Sequence, residues 1–350
     1  MKRAISSAHS RRSRNSRANS TRSEPNSSRS SRPFAPPWKR ESPTCPRRPS
    51  LPGRRTSRSG RWPWPGPRGG WTSEASQSLP TVDAVLPPLT PDTVRDWQDV
   101  STLSEHIYGA SVSNHAGVGH IAAVWRDPHG GHHSLRLTAD APGSTYDQFA
   151  LGLSRARADA ILTTGKILRS EPGLTHDYLG PSTLRHALAE WRMRSLGKTE
   201  SARSVILTSG ERLPRSHPLF RGTTRPMIVT SSEGARRLGA WAAAADVQVV
   251  AMAEPSAEQA LRYLAETMGA RALSIEAGPH TALPLYRSPT LVDELWLSTY
   301  LGPAVATSVL GPAFLDAASL DAAFPRRATP FKVNEPSGPW QFQRFTRVTQ

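Results

Sequence analysis

The stretch Leu273-Ser274-Ile275-Glu276-Ala277-Gly278-Pro279-His280-Thr281 decides the fold. It predicts a short apolar strand that ends at Ile275 and passes through a tight turn directly into a helix. Gly278 lets the backbone approach a ligand closely, and Pro279 suits a first helical turn. The amides of residues 280–282 and the helix dipole would then attract an anion at the carboxyl end of a strand, where open α/β sheets bind ligands. The same residues could equally form a plain turn with Glu276 as a helix cap.

Short apolar strands alternate with amphipathic helices around this stretch. The predicted strands are 120–126, 134–138, 160–163, 204–208, 227–230, 247–252, 272–275 and 294–300. The predicted helices are 93–108 (capped by Asp92), 144–156, 182–196, 233–243, 256–268 and 280–286, and residues 165–175 are predicted to be a loop. Such alternation is typical of a mostly parallel sheet with helices on both faces. Residues 127–131 predict a turn between the first two strands, and the alternation over 340–348 predicts a closing antiparallel strand.

The charge of the chain is concentrated at its start. Residues 1–75 hold 18 Lys and Arg against 3 Asp and Glu, whereas the whole chain has a formal charge of +16. Residues 1–80, rich in Arg, Ser and Pro, are predicted to be a disordered arm. The arm could be a functionless extension, a transit peptide to a plastid or mitochondrion instead of a cytoplasmic location, or an RNA-binding segment with Trp62, Trp64 and Trp71 as stacking faces. Residues 81–115 are predicted to be a linker with a short helix, and residues 116–350 the main domain.

Cysteine and hydropathy exclude several classes of protein. The one cysteine, Cys45, rules out a disulfide framework and a zinc site built on cysteine pairs. The sequence contains no run of 18 apolar residues, so no membrane-spanning helix is predicted. It has no apolar segment behind the basic start, so no secretory signal is predicted.

Three further motifs are weaker. Thr163-Thr164-Gly165-Lys166 follows a predicted strand without P-loop spacing, so it predicts either a cofactor contact or a polar loop. Gly117-Val118-Gly119-His120 has the letters of a dinucleotide fingerprint, but a strand follows it instead of a helix, and we reject it. His129, His132 and His133 lie at a glycine-rich turn, where a solvated hairpin tip is favoured over a metal site, so we predict no bound metal.

Three segments together resemble the reductase domain of the bacterial deaminase–reductase of riboflavin biosynthesis. The first is Arg157-Ala158-Asp159-Ala160-Ile161-Leu162 with Gly165 and Glu171-Pro172-Gly173-Leu174-Thr175. The second, Ile275-Glu276-Ala277-Gly278-Pro279, is similar to that family's Val-Glu-Gly-Gly-Pro segment. The third, Leu291-Val292-Asp293-Glu294-Leu295 up to Gly302, is similar to its late strand. They occur in the family's order and spacing over residues 120–302.

The resemblance implies a dihydrofolate-reductase-like three-layer α/β fold, a homodimer, and reduction of a ribosylaminopyrimidine with NADPH. It implies NADPH contacts at residues that match the family's cofactor stretches, which are Gly165, Lys166, Ser209, Gly278, Pro279, His280 and Thr281. It implies substrate contacts at Ser134, Leu174 and Glu276. Asp127 matches a strand-end aspartate, so Asp127 and Glu276 are the candidate catalytic acids, with water as the other proton source. The family's zinc deaminase domain is expected to be absent, because its two-cysteine motif cannot be formed from Cys45.

The sequence departs from the family at one cofactor-binding position, Lys166, and on the substrate side. Lys166 stands where a threonine is usual, Ser170 where an aspartate is usual, and Arg136 where a tryptophan is usual. Asp177 replaces a substrate-binding arginine, which reverses the charge offered to a substrate phosphate. The alternatives are therefore a reductase of the same fold with another small-molecule substrate, a non-catalytic nucleotide binder, and a nucleic-acid-binding protein that acts through its arm.

Overall fold

A computed structural model describes residues 88–347 apart from 110, 111, 115, 137, 223 and 288, and these belong to a compact unit spanning Thr81–Gln350. The predicted arm lies outside the described residues. The strands are β1 Gly117–Arg126, β2 His132–Leu135, β3 Ala160–Thr164, β4 Arg203–Leu207, β5 Met227–Ser231, β6 Gln248–Met252, β7 Ala272–Ile275, β8 Glu294–Tyr300, β9 Leu310–Ala313, β10 Arg326–Arg327, β11 Phe331–Glu335 and β12 Gly338–Thr346. The α-helices are α1 Trp97–Tyr108, α2 Thr145–Arg157, α3 Gly165–Ser170, α4 Ser182–Leu196, α5 Ser232–Ala244, α6 Ala257–Glu266, α7 Pro279–Ala282 and α8 Ala317–Ala323.

One twisted sheet organises the described chain. Seven of its strands run parallel in the order β8-β1-β7-β3-β4-β5-β6. β12 pairs antiparallel with β8, and β10 and β11 pair antiparallel with β12. The predicted α/β class with a mostly parallel sheet and a closing antiparallel strand is confirmed.

Alternate side chains of the strands pack on opposite layers of helices. Leu162, Val205 and Ile275 are fully buried against α6 and α7 on one face. On the other face, Trp125 and Trp296 pack under α1, α2 and α4, while Ile206 and Ile228 pack under α3 and α5. This alternation produces three layers, because each strand has two apolar faces to cover.

The first helix differs from its prediction. A 3-10 turn occupies Pro91–Thr93, and α1 begins only at Trp97, because the carboxylate of Asp96 accepts from the amides of Gln98 and Asp99. Asp96 is therefore the cap instead of Asp92. The helix expected within the 81–115 linker is part of the core, where Trp191 of α4 donates its indole N–H to the Ser101 hydroxyl at 3.0 Å.

A second difference concerns the residues after β3, predicted to be a loop. They begin with helix α3, because the Thr164 hydroxyl accepts from the Ile167 amide and caps it. Elsewhere the structure shifts predicted ends by up to three residues and adds four elements that were not predicted, β9, α8, β10 and β11. It also extends β1 back to Gly117, so the rejected fingerprint letters lie in a strand. Among the described helices, none has the length and apolar character needed to cross a membrane.

Candidate ligand-binding edge

The predicted cofactor segments follow three neighbouring strands of the sheet. β7 lies beside β3, and β3 lies beside β4. Thr164 is paired with Leu207, so β3 and β4 end at the same level, and Leu162 is paired with Ile275, so β7 ends two residues earlier. Neighbouring strands are about 5 Å apart, so the three segments share roughly 10 Å of one edge. Lys166, Ser209, Gly278 and His280 are all exposed there.

The Gly278 turn leaves room above its backbone. Gly278 caps α7, and a Cβ added to it would meet no atom within 4 Å. Two of the three amides that the sequence offered to an anion are already used, because Thr281 and Ala282 donate to the Gly278 carbonyl at 2.9 and 3.1 Å. Of the three amides, only that of His280 is therefore left to donate a hydrogen bond to an anion.

Close packing against Thr208 requires glycine at position 165. A Cβ at this position would lie 2.6 Å from the Thr208 hydroxyl oxygen, so α3 and the end of β4 can approach only without a side chain here. The loop after β4 is stabilised by hydrogen bonds from its own backbone amides to its own side chains. Thr208 accepts from the Gly210 amide, and Ser209 accepts from the Glu211 amide.

Glu276 forms a buried ion pair behind the edge. Arg155, from the end of α2, donates Nε to one carboxylate oxygen at 2.9 Å and a terminal nitrogen to the other at 2.7 Å, and donates again to the Asp177 carbonyl at 2.7 Å. The two side chains are only 2% and 10% exposed. Burial alone would raise the pKa of Glu276, but the guanidinium outweighs it and holds this pKa below its usual value. Glu276 is therefore ionised near neutral pH.

His176 lies beside this pair without a complete set of partners. Its Nδ1 shares a 2.8 Å hydrogen bond with the Ser204 hydroxyl, while its buried Nε2 has no hydrogen-bond partner and lies 4.0 Å from Glu276. Burial lowers the pKa of His176 to about 4, against the opposing effect of Glu276. The imidazole is therefore neutral near pH 7 and brings no positive charge to the edge.

His120 joins β1 to the Gly278 turn. Its Nδ1 and the Tyr286 hydroxyl share a 2.6 Å hydrogen bond, and the ring donates to the backbone carbonyl of Ala277. Burial lowers its pKa to about 4. A neutral, buried imidazole thus holds the residue that precedes Gly278.

Asp127 organises the hairpin between β1 and β2. One of its oxygens accepts from the amides of His129 and Gly131, each at 2.8 Å, and the other faces His133 at 3.2 Å. The Gly131 amide is the main reason that the pKa of Asp127 is lowered. The three histidines do not converge, since His132 bonds the Leu315 carbonyl instead.

The structure brings only part of the predicted substrate set together. His120 is paired with Ile275, so Asp127, seven residues further along β1, and Glu276, one residue beyond β7, differ by six residues in level, or about 20 Å. Ser134 is on β2 opposite Val124 and donates to the Pro312 carbonyl. Leu174 lies in the same loop as His176 and packs on the cluster that contains Leu168.

Sequence reasoning missed two contributors to the edge, namely Arg155 and the His120–Tyr286 pair. Arg155 lies two residues before the first segment that resembles the family. Arg155 occupies an inward position of α2, where an apolar residue is expected, and that signal could have been read.

The layered sheet and its segments at the carboxyl ends of β7, β3 and β4 define an α/β protein with a candidate ligand-binding edge, since open α/β sheets bind ligands at the carboxyl ends of their strands. The sequence model of the family of RibD C-terminal domains matches residues 129–312, just over half of the chain. The chain belongs to this family, and the assignment supports a riboflavin-pathway-type reductase.

Several solved structures are similar to the chain. A pyrimidine reductase-like protein from Corynebacterium diphtheriae is 20% identical, with 71% of this chain and 99% of that one covered and a TM-score of 0.48. RibD from Acinetobacter baumannii is 13% identical, with 71% and 61% covered and a TM-score of 0.45. Dihydrofolate reductase from Enterococcus faecalis, solved with NADP(H), is 11% identical, with 67% and 97% covered and a TM-score of 0.33. Among curated proteins, no sequence matches.

Proposed function

We propose that this protein is an NADPH-dependent reductase that acts on a pyrimidine-like small molecule of riboflavin biosynthesis. One observation carries the proposal. The segments after β7, β3 and β4, which the resemblance assigns to cofactor binding, follow adjacent strands whose ends lie within two residues of one level, and β7 leads directly to the buried side chain of Glu276.

The residues at this edge fit a nicotinamide dinucleotide. The open space over Gly278 admits a phosphate, and the amide of His280, an exposed residue, can donate to it. Lys166 and Ser209 add a cation and a hydroxyl on the next two strands. The bound cofactor would supply a hydride.

Glu276 is suited to positioning a substrate as an ionised acceptor. Its two oxygens take one bond each from Arg155, and a carboxylate has about four acceptor sites, so it can still accept from a substrate N–H. The lowered pKa values of Glu276 and Asp127 make both poor proton donors near neutral pH. Water is then the better proton source of the two alternatives.

The same-fold alternative with another substrate is favoured by the loop after α3. Asp177 stands where the family has a substrate-binding arginine, and His176 is neutral near pH 7. The Arg155 side chain is 2% exposed and donates to Glu276 and to the Asp177 carbonyl. A substrate phosphate finds no obvious partner in these residues. This observation favours an acceptor without that phosphate.

Binding of NADPH to the full-length chain tests the proposal, measured by calorimetry and by thermal shift. Gly278→Asp, which places a carboxylate in the open space over the turn, is expected to abolish binding. Gly239→Asp, on the exposed face of α5 and also with open space around its Cβ, is the matched control. A purified chain that neither binds NADPH nor is stabilised by it would disprove the proposal.

Substrate choice needs a second measurement. NADPH consumption is followed with the ribosylaminopyrimidine phosphate, its dephosphorylated form and a panel of other imines and carbonyl compounds. Turnover of the phosphorylated pyrimidine supports the riboflavin reaction, and turnover of another compound alone supports the alternative. Gel filtration with light scattering tests the proposed homodimer.

A further inference from the structure

His176 is a buried histidine with one ring nitrogen that has no hydrogen-bond partner in the described part of the chain. Its side chain is 5% exposed, and its Nδ1 shares a 2.8 Å hydrogen bond with the Ser204 hydroxyl. The other nitrogen, Nε2, is buried without a partner and lies 4.0 Å from Oε2 of Glu276. A buried polar atom without a partner lowers stability, so its presence calls for a reason other than packing.

The surroundings of the His176 ring select one tautomer. The ring is neutral near pH 7, because burial lowers its pKa to about 4. A neutral imidazole has one N–H donor and one acceptor nitrogen. The Glu276 carboxylate attracts the N–H to Nε2, and the Ser204 hydroxyl can donate to Nδ1 in return. The hydrogen of the ring is therefore placed on Nε2, beside the carboxylate.

The distance between Nε2 and Oε2 is longer than a hydrogen bond. A normal bond of this type spans about 2.7–3.2 Å, so a shift of about 1 Å would form it. Hydrogen bonds of catalytic groups are often long in the free enzyme and shorten when the substrate binds. The pair of His176 and Glu276 has the geometry of such a contact.

The two oxygens of Glu276 are not equivalent in this arrangement. Arg155 donates to Oε1 at 2.9 Å and to Oε2 at 2.7 Å, and His176 lies next to Oε2. Each carboxylate oxygen offers about two acceptor sites. A bond from His176 would fill Oε2 and leave one site, which is on Oε1.

We infer that His176 is a positioning residue that donates from Nε2 to Oε2 of Glu276 when the substrate binds and so directs an N–H of the substrate to Oε1. The inference rests on the proposed function, because Glu276 is there the acceptor for the substrate. It also defines the chemical class of the recognised group. An N–H donor, such as a ring or amino N–H of a pyrimidine, fits the remaining site, whereas a group that only accepts is repelled by the carboxylate.

Two substitutions at this position separate the Nε2 donor from packing. His176→Phe keeps a planar ring without a donor, whereas His176→Gln keeps an amide N–H near the place of Nε2. Both lose the bond to Ser204, so the difference between them reports the donor alone. The matched control is His186→Phe, at an exposed histidine of α4.

Steady-state kinetics of the full-length chain measure the effect, with whichever compound of the substrate panel the wild-type chain reduces. We expect His176→Phe to lower kcat/KM for that compound about tenfold to a hundredfold, with the KM for NADPH unchanged. His176→Gln should recover most of this loss, and His186→Phe should match the wild-type chain. Equal kcat/KM values for the Phe and Gln variants would show that the donor has no effect.

Nitrogen NMR of the histidine rings gives a readout that needs no turnover. The His176 signals are assigned by their absence from the spectrum of His176→Gln. The free wild-type chain should show the tautomer with its hydrogen on Nε2, and the opposite tautomer would overturn the inference. If the chain reduces a compound of the panel but either measurement fails, the inference is wrong and the proposed function stands. If the chain reduces none of them, both are wrong.

Discussion

The buried pair of Arg155 and Glu276 makes Arg155→Met a sharp test of the site. Methionine keeps most of the side-chain volume but removes two hydrogen bonds to the carboxylate and one to the Asp177 carbonyl. Glu276 would then be a buried charge without its partner. Removing one member of a buried pair typically costs about 3–5 kcal/mol, and the 10% exposure of Glu276 favours the lower end. For a domain of this size, that is a fall in Tm of about 10 °C.

The pH dependence of this loss identifies its cause. In the wild-type chain the folded pKa of Glu276 is lowered, so its contribution to stability is present above the unfolded pKa and is lost as the pH falls through the folded value. In the variant, burial without the guanidinium raises the folded pKa, so the cost is greatest near pH 7.5 and fades as the carboxyl is protonated. Removing the Arg155 charge also raises the pKa of His176, 4.0 Å from Glu276, and protonation of this imidazole acts in the same direction. The stability difference should therefore shrink between pH 7.5 and pH 5.

Urea unfolding of both chains at several pH values measures this difference. The control is Arg194→Met, which removes an exposed pair with Glu190 on α4 and should cost less than about 1 kcal/mol at every pH. A loss for Arg155→Met that stays constant from pH 7.5 to pH 5 would refute the reasoning, since lost packing alone does not titrate.

Three other outcomes follow from the geometry. Gly165→Ala should lower the free energy of unfolding by about 1–3 kcal/mol, because its Cβ meets the Thr208 hydroxyl at 2.6 Å, and an unchanged urea midpoint would contradict this contact. Gly278→Ala should change that free energy by less than about 0.5 kcal/mol yet weaken NADPH binding, so calorimetry that shows equal affinity would remove the turn from the site. His120 and His176 have folded pKa values of about 4 against 6.5 unfolded, so the unfolded chain binds more protons between these values. The free energy of unfolding therefore decreases as the pH is lowered through this range. Replacing both by Gln should flatten that slope in pH-dependent urea unfolding, and an unaltered slope would assign it to other groups.

The sheet was predictable because its signals are local. Apolar runs such as Ala272–Ile275 and Glu294–Tyr300 have the predicted bounds, and α4 begins and ends where its apolar spacing does. The start of α1 was not predictable in the same way, since Asp92, Asp96 and Asp99 are all acceptable caps by residue type and the structure uses Asp96. Helix α3 was missed because its six residues carry too little periodicity to be told from a loop.

The edge itself was only partly predictable. Gly278 and Gly165 were found because glycine and proline mark turns after strands, whatever the strand order. That these turns are neighbours depends on β7 lying between β1 and β3, a long-range pairing that no local pattern encodes. The pairing of Arg155 with Glu276 is likewise not encoded by a local pattern, because the two residues are 121 positions apart in the sequence.

Strand stagger explains why two candidate acids assigned by resemblance do not share one place. Asp127 and Glu276 each follow a parallel strand of the same sheet, and the sequence alone treats both as carboxyl-end residues. β1, however, continues beside β8 as far as the pairing of Trp125 with Tyr300, well past the level at which β7 stops. The two carboxylates are therefore about 20 Å apart along the strand direction. A common catalytic role for them would need the hairpin to move by that distance, whereas Glu276, Arg155 and His176 already lie together behind the ligand-binding edge.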